Sequence, residues 1–206
     1  MSEGLFPGDV LFFQRMLRAE GLYKHTLDGV WGPKTEAAAI QFEQRAEAIR
    51  VASRTFDIRS ERSITTLSLK AQSLARHFLA RVLDGGLRAR IISGTRTYAA
   101  QDALFRQGRF GNPGPKITNA RGGQSNHNFG IAWDIGIFTA SGGYLDDGSD
   151  YQKAAALGLT ATLNEVEWGG NRTGFVDRPH YQLNLGLSID SLRDGFENGS
   201  LGNAYA

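Results

Sequence analysis

The residues of this chain whose types and spacing could do chemistry lie in two short runs. The first is Ser125-Asn126-His127-Asn128-Phe129-Gly130-Ile131-Ala132-Trp133-Asp134, and the second is Val176-Asp177-Arg178-Pro179-His180-Tyr181-Gln182-Leu183. His127 sits in a polar turn, and Asp134 sits inside an otherwise apolar segment. Strand alternation puts Ala132, Asp134 and Gly136 on one face and Ile131, Trp133, Ile135 and Ile137 on the other. The aspartate face is therefore lined by small residues, which leaves space beside the carboxylate. A charged carboxylate in a strand core requires a partner or a metal. Gly130 lets the chain fold back so that His127 can reach the same space. In the second run His180, Gln182 and Asn184 share a face. Asp177 would point away from His180 in an unbroken strand, but Pro179 disturbs regular pairing, and a bend there can bring the two together.

These features suggest His127, Asp134 and His180 as three ligands of one Zn2+. Two imidazoles and a carboxylate, with the fourth position left to water, form the catalytic zinc pattern. Zinc brings the pKa of such a water to about 7. Asp177, three residues from a ligand, is the candidate general base. Arg96, in Ser93-Gly94-Thr95-Arg96-Thr97, is placed to face a developing oxyanion or a substrate carboxylate, with a planar fork that never deprotonates. Taken singly, each has a plainer reading: His127 as a turn histidine, Asp134 as a loop cap, Arg96 as a solvated surface residue. The metal reading rests on their joint occurrence and on the absence of any thiol. His25, in a loop, and His77, on the flank of an amphipathic helix, are read as structural.

The elements that must position these residues follow from periodicity. Val10, Phe13 and Leu17 define a helix face that Gly21 ends. A Gly-rich turn, Leu27-Asp28-Gly29-Val30-Trp31-Gly32-Pro33, opens a second helix with Pro33 at its first position and Ala38, Phe42, Ala46 and Ile49 on one face. Two helices bury little core alone, so this unit should pack with a third element or with the larger domain. A charged, weakly periodic stretch follows and is read as a linker. A helix through Leu67, Ala71, Leu74, Ala75, Phe78 and Val82 is stopped by Gly85-Gly86. The spacing then predicts a strand over 87–91, a short helix over 98–107, and a loop to residue 124. It continues with a strand over 131–138, a helix over 151–162 and a strand over 180–185. The tail from Ser188, with many Gly, Asn and Ser, reads as loosely held. Irregular alternation of helices and strands gives an α+β class with a mostly antiparallel sheet. The expected domains are a helical unit over 1–50, a linker over 51–63 and a catalytic domain over 64–206.

Composition narrows the classes further. The chain has 206 residues, 41% hydrophobic and 21% charged, which is ordinary globular usage. With 23 basic and 21 acidic residues, the net charge of +2 gives no argument for a nucleic-acid partner. The absence of cysteine excludes a disulfide scaffold and a cysteine nucleophile. No apolar stretch approaches the length of a membrane span, and the start lacks a basic and apolar leader, so neither a span nor a Sec signal is expected.

The site residues also carry a resemblance. Ser125-x-His127-x-x-Gly130-x-Ala132-x-Asp134 followed by Asp177-x-Pro179-His180 resembles the zinc peptidases that comprise D-Ala-D-Ala carboxypeptidases and L-alanyl-D-glutamate endopeptidases. These share a fold with the Hedgehog amino-terminal domain. The block Ile92–Leu104 and the pair Gly108-Arg109 match upstream, so the resemblance runs over about 64–185. It implies zinc ligation by His127, Asp134 and His180, a catalytic base at Asp177, and support of substrate or transition state by Arg96. Glu165 and Glu167, before Trp168-Gly169-Gly170, are alternative base candidates. The run from Leu27 to Thr35 with Ala38–Phe42 resembles a three-helix peptidoglycan-binding domain, although its third helix is not evident. The implied protein is a monomeric, endolysin-like cell-wall hydrolase that cleaves the L-alanyl–D-glutamate bond of peptidoglycan. It is made in the cytoplasm and reaches the wall through a membrane lesion or dedicated secretion. The alternatives are a D-Ala-D-Ala carboxypeptidase and a non-catalytic, zinc-containing wall-binding protein.

Overall fold

The computed structural model describes residues 5–6, 8–202 and 204–205, so part of the start on which the expectation about a Sec signal rests lies outside the described residues. Among the described residues, seven helices and five strands follow in the order α1 (Val10–Ala19), α2 (Pro33–Val51), α3 (Ile58–Ile64), α4 (Leu69–Asp84), β1 (Ala89–Ser93), α5 (Tyr98–Arg106), β2 (Ala132–Phe138), β3 (Tyr144–Leu145), α6 (Gly148–Gly158), β4 (Val166–Trp168), β5 (His180–Leu183) and α7 (Ile189–Asn198). Short 3-10 turns cover Asn126–Phe129, Leu159–Ala161 and Gly169–Asn171. Six helices begin at a side chain that accepts a hydrogen bond from the first turn: Asp9, Asp57, Ser68, Thr97, Asp147 and Ser188. Such caps satisfy amide groups that have no partner inside the helix. The remaining helix, α2, begins at Pro33 as expected.

The chain divides into two compact units, each assembled from separated segments. One comprises Gln44–Gly94 and Ile131–Leu185 and holds the sheet. Its main path is β1-β2-β5-β4, with β3 added against β2. Every pairing is antiparallel, so the α+β class with an antiparallel sheet is the observed architecture. Trp133, Ile135 and Ile137 alternate into the core, where they are no more than 1% exposed. Tyr181 stacks on Trp133 at 6.2 Å and on Trp168 at 6.5 Å, and Phe78 from α4 lies 4.3 Å from Tyr181. Gly158 lets α6 approach α4, because a Cβ there would meet the Phe78 ring at 2.2 Å. Arg76 is buried and makes a paired contact with Glu61, with Nη1···Oε1 at 2.9 Å and Nη2···Oε2 at 2.6 Å.

The other unit comprises Met1–Glu43, Thr95–Gly130 and Gly186–Ala206. Its core is aromatic: Phe12 meets Phe196 of α7 at 5.4 Å and Tyr98 of α5 at 6.2 Å, and Phe129 meets Phe196 at 5.4 Å. The third element that two amino-terminal helices need is thus supplied in part by α7. The loop before α2 is held by Gln14, which is fully buried. Its Nε2 donates to Asp28 Oδ1, Val30 O and Thr35 Oγ1. Its Oε1 accepts from the amides of Asp28 and Gly29.

Three features go beyond the sequence reading. The described part of the tail after Ser188 is not loose: α7 buries Leu192 and Phe196, one helical turn apart, and Leu201 and Tyr205 beyond it are also buried. Part of the stretch read as linker forms α3, because Asp57 caps it and Ile64 reaches the core. Strands β3 and β4 were not expected, since two or three residues are too few to show a period.

Candidate metal centre and active site

Strand pairing builds the centre. In the β2–β5 ladder Asp134 lies directly opposite His180. Directly opposed residues point to the same face of a sheet, so the alternation read from each strand becomes a contact. His180 Nδ1 lies 3.2 Å from Asp134 Oδ1. His127 is carried by the 3-10 turn Asn126–Phe129, which ends at Gly130 in the left-handed conformation with φ 74°. His127, Asp134 and His180 each offer one ligand atom, and these atoms all lie within 4.8 Å of one another. His127 and His180 are buried, at 2% and 5% exposure, and Asp134 is partly exposed. Two imidazoles and one carboxylate suit zinc. Metal–ligand bonds of about 2.1 Å in a tetrahedron separate donors by about 3.4 Å. The donor set suits that ion, and the 3.2 Å between His180 Nδ1 and Asp134 Oδ1 is close to that separation.

The turn that carries His127 is fastened to Arg96. The Arg96 amide donates to His127 O at 3.0 Å, and Asn128 Nδ2 donates to Arg96 O at 2.9 Å. Asn128 is buried, and its Oδ1 accepts from the amides of Gly123 and Ser125. The Arg96 guanidinium donates to Gln101 Oε1 at 3.3 Å, and Gln101 Nε2 in turn donates to Ala120 O at 3.0 Å. Asn128 and Gln101, which bond to Arg96, were given no role in the sequence reading. One lay inside a motif as an unspecified residue, and the other lay within the Ile92–Leu104 block.

Asp177 and His180 are joined by a turn in which the His180 amide donates to Asp177 O at 3.3 Å. The Asp177 amide donates to Gly169 O at 3.1 Å, and Trp168 Nε1 donates to Arg178 O at 2.7 Å. The bend expected at Pro179 is therefore present. Gly169 makes it possible. A Cβ at that position would lie 2.5 Å from Asp177 O, 3.1 Å from His180 Cβ and 3.3 Å from Asp177 Cβ. Both side chains thus depart from the surface of one glycine. Of the alternative base candidates, Glu165 pairs with Lys70 at 2.6 Å, and Glu167 accepts from Gln182 Nε2 at 3.1 Å. His77 is exposed on α4, and His25 lies against the Tyr23 ring at 5.6 Å.

Residues 118–183 match a peptidase M15 family model described as D-alanyl-D-alanine carboxypeptidase. That segment holds His127, Asp134, Asp177 and His180. Among individual proteins, the chain is 33% identical over 110 residues to the peptidoglycan L-alanyl-D-glutamate endopeptidase CwlK of Bacillus subtilis (strain 168). The match covers 50% of this chain and 65% of that relative, so the chain spans just under two thirds of the relative's length. The fold is similar to that of the Serratia marcescens L-Ala D-Glu endopeptidase ChiX, with a TM-score of 0.51 at 23% identity over 66% of this chain and 95% of that one. No helix among the described residues is long and apolar enough to cross a membrane.

Proposed function

We propose that this chain is a zinc peptidase that hydrolyses the L-alanyl–D-glutamate bond of peptidoglycan stem peptides. The observation that carries the reading is the convergence of His127, Asp134 and His180 ligand atoms, with Asp177 one turn from His180. His127, Asp134 and His180 would hold the ion. When bound, zinc supplies a Lewis acid that polarises the scissile carbonyl and acidifies a water. Asp177 takes a proton from the attacking water at its carboxylate and delivers it to the nitrogen of the departing D-glutamate as the C–N bond breaks. The Arg96 guanidinium, held by Gln101, faces the negative charge that develops on the alanyl oxygen or a carboxylate of the substrate. Residues 1–50 would hold the wall polymer near the catalytic domain 64–206. The protein would act as a monomer, like an endolysin, after release through a lesion or dedicated secretion.

The test is to digest purified sacculi and identify the new amino termini. Free D-glutamate amines support the proposal. Release of D-alanine instead supports the D-Ala-D-Ala carboxypeptidase reading, which the description of the matching family favours. Bound wall without hydrolysis supports a zinc-containing binding protein.

A further inference from the structure

Beyond the three ligands, the sheet carries a polar chain that ends on His180. Gln182 shares the His180 face of β5 and is paired with Ala132 of β2 on one side and Glu167 of β4 on the other. Its Oε1 lies 2.7 Å from Arg172 Nη2 and 3.0 Å from His180 Nε2. Its Nε2 lies 3.1 Å from Glu167 Oε2. A guanidinium can only donate, and an ionised carboxylate can only accept. These two neighbours therefore set the amide one way, with the carbonyl toward Arg172 and the NH2 toward Glu167. The reverse orientation would put NH2 against guanidinium and oxygen against carboxylate. A carbonyl facing His180 Nε2 requires that nitrogen to carry the proton. The lone pair is then on Nδ1, the atom 3.2 Å from Asp134 Oδ1.

Resting on the zinc reading above, we propose that Gln182, oriented by Glu167 and Arg172, is a positioning residue that holds His180 in the Nε2–H tautomer with Nδ1 as its ligating atom. Glu167, weighed in the sequence as a base, serves here as the group that orients the amide. Outer hydrogen bonds of this kind raise metal affinity by fixing the tautomer and ring angle of a ligating histidine.

The experiment measures zinc dissociation constants by competition with a chromophoric chelator, together with the Tm of each metal-free form. Gln182→Met keeps the side-chain shape and removes the acceptor, so zinc should bind about 10- to 100-fold more weakly with little change in metal-free Tm. The exchange Glu167→Gln with Gln182→Glu reverses the donor and acceptor between the two strands yet keeps an oxygen toward His180 and Arg172. It should bind zinc within about threefold of the parent, or more tightly. A Met variant that binds like the parent overturns the inference, as does a folded exchange variant as weak as the Met variant. A lowered metal-free Tm with unchanged zinc affinity marks a merely structural role and also overturns it. Should the Met variant fail to fold, the exchange variant decides alone. A parent that binds no zinc sinks the functional reading and this inference with it, which separates the two failures.

Discussion

Gly169→Ala is the most exacting perturbation of the site, because the residue does no chemistry. A methyl group there would sit 2.5 Å from Asp177 O, where ordinary contact begins near 3.4 Å, so the Asp177 carbonyl must retreat by about 0.9 Å. The His180 Cβ, at 3.1 Å, needs to yield only about 0.3 Å. The burden falls on the turn that carries the proposed base, and the metal ligand is nearly spared. A displacement of about 1 Å in a catalytic group costs about 100-fold in rate, which corresponds to about 2.7 kcal/mol of transition-state stabilisation. The expected outcome is a fall of that order in the initial rate of amine release from sacculi, with zinc affinity changed less than about tenfold. Gly174→Ala, at a position with nothing within 4 Å of the added Cβ, is the control and should leave the rate near that of the parent. A Gly169→Ala protein that hydrolyses within about threefold of the parent would refute the claim that this glycine sets the base.

Other outcomes follow from the same geometry. Asp177→Ala should retain zinc while losing about 100- to 10,000-fold in hydrolysis, read by metal content and amine release on one sample. His180→Ala should instead lose the metal, measured by chelator competition. The Glu61 carboxyl is pushed up by burial, but the Arg76 guanidinium and the Phe56 amide outweigh this and hold it below its ordinary 4.5. A depressed carboxyl stabilises the fold above its unfolded pKa and loses that contribution as pH falls through the folded value. Urea unfolding should therefore show stability falling below about pH 4.5, and Arg76→Met should flatten that fall. Gln14→Leu removes the partner of the Asp28 and Gly29 amides and should cost on the order of 2 kcal/mol. If that loop contacts the wall, the same change should reduce retention on sacculi.

Much of the centre could be read from the chain, because strand alternation is a local property. Asp134 among small face-mates and His180 on a defined face needed only a register to bring them together. What escaped the sequence depends on neighbours far along the chain. Nothing in Trp168-Gly169-Gly170 shows that Asp177 and His180 will press on its middle residue. Gln182 looked like an ordinary strand residue until Glu167 and Arg172 were placed beside it. Helix α7 was missed because Gly, Asn and Ser dominate its surroundings, while its Leu192 and Phe196 gain meaning only from Phe12 and Phe129.

Register is where fold and chemistry meet. A slip of β5 by one residue against β2 would set Tyr181 opposite Asp134 and turn His180 to the far face. The far face resists this. Tyr181 is fully buried between the Trp133 and Trp168 rings, with Phe78 4.3 Å away. A slipped strand would place His180 and Gln182 in that aromatic layer, leaving their polar atoms without the partners they have now, at a cost of about 1–3 kcal/mol for each unmet group. It would also forfeit about 2–3 kcal/mol of burial for each aromatic ring expelled. The hydrophobic face thus fixes the ladder, and the ladder delivers a carboxylate and an imidazole to within 3.2 Å of each other on the opposite side.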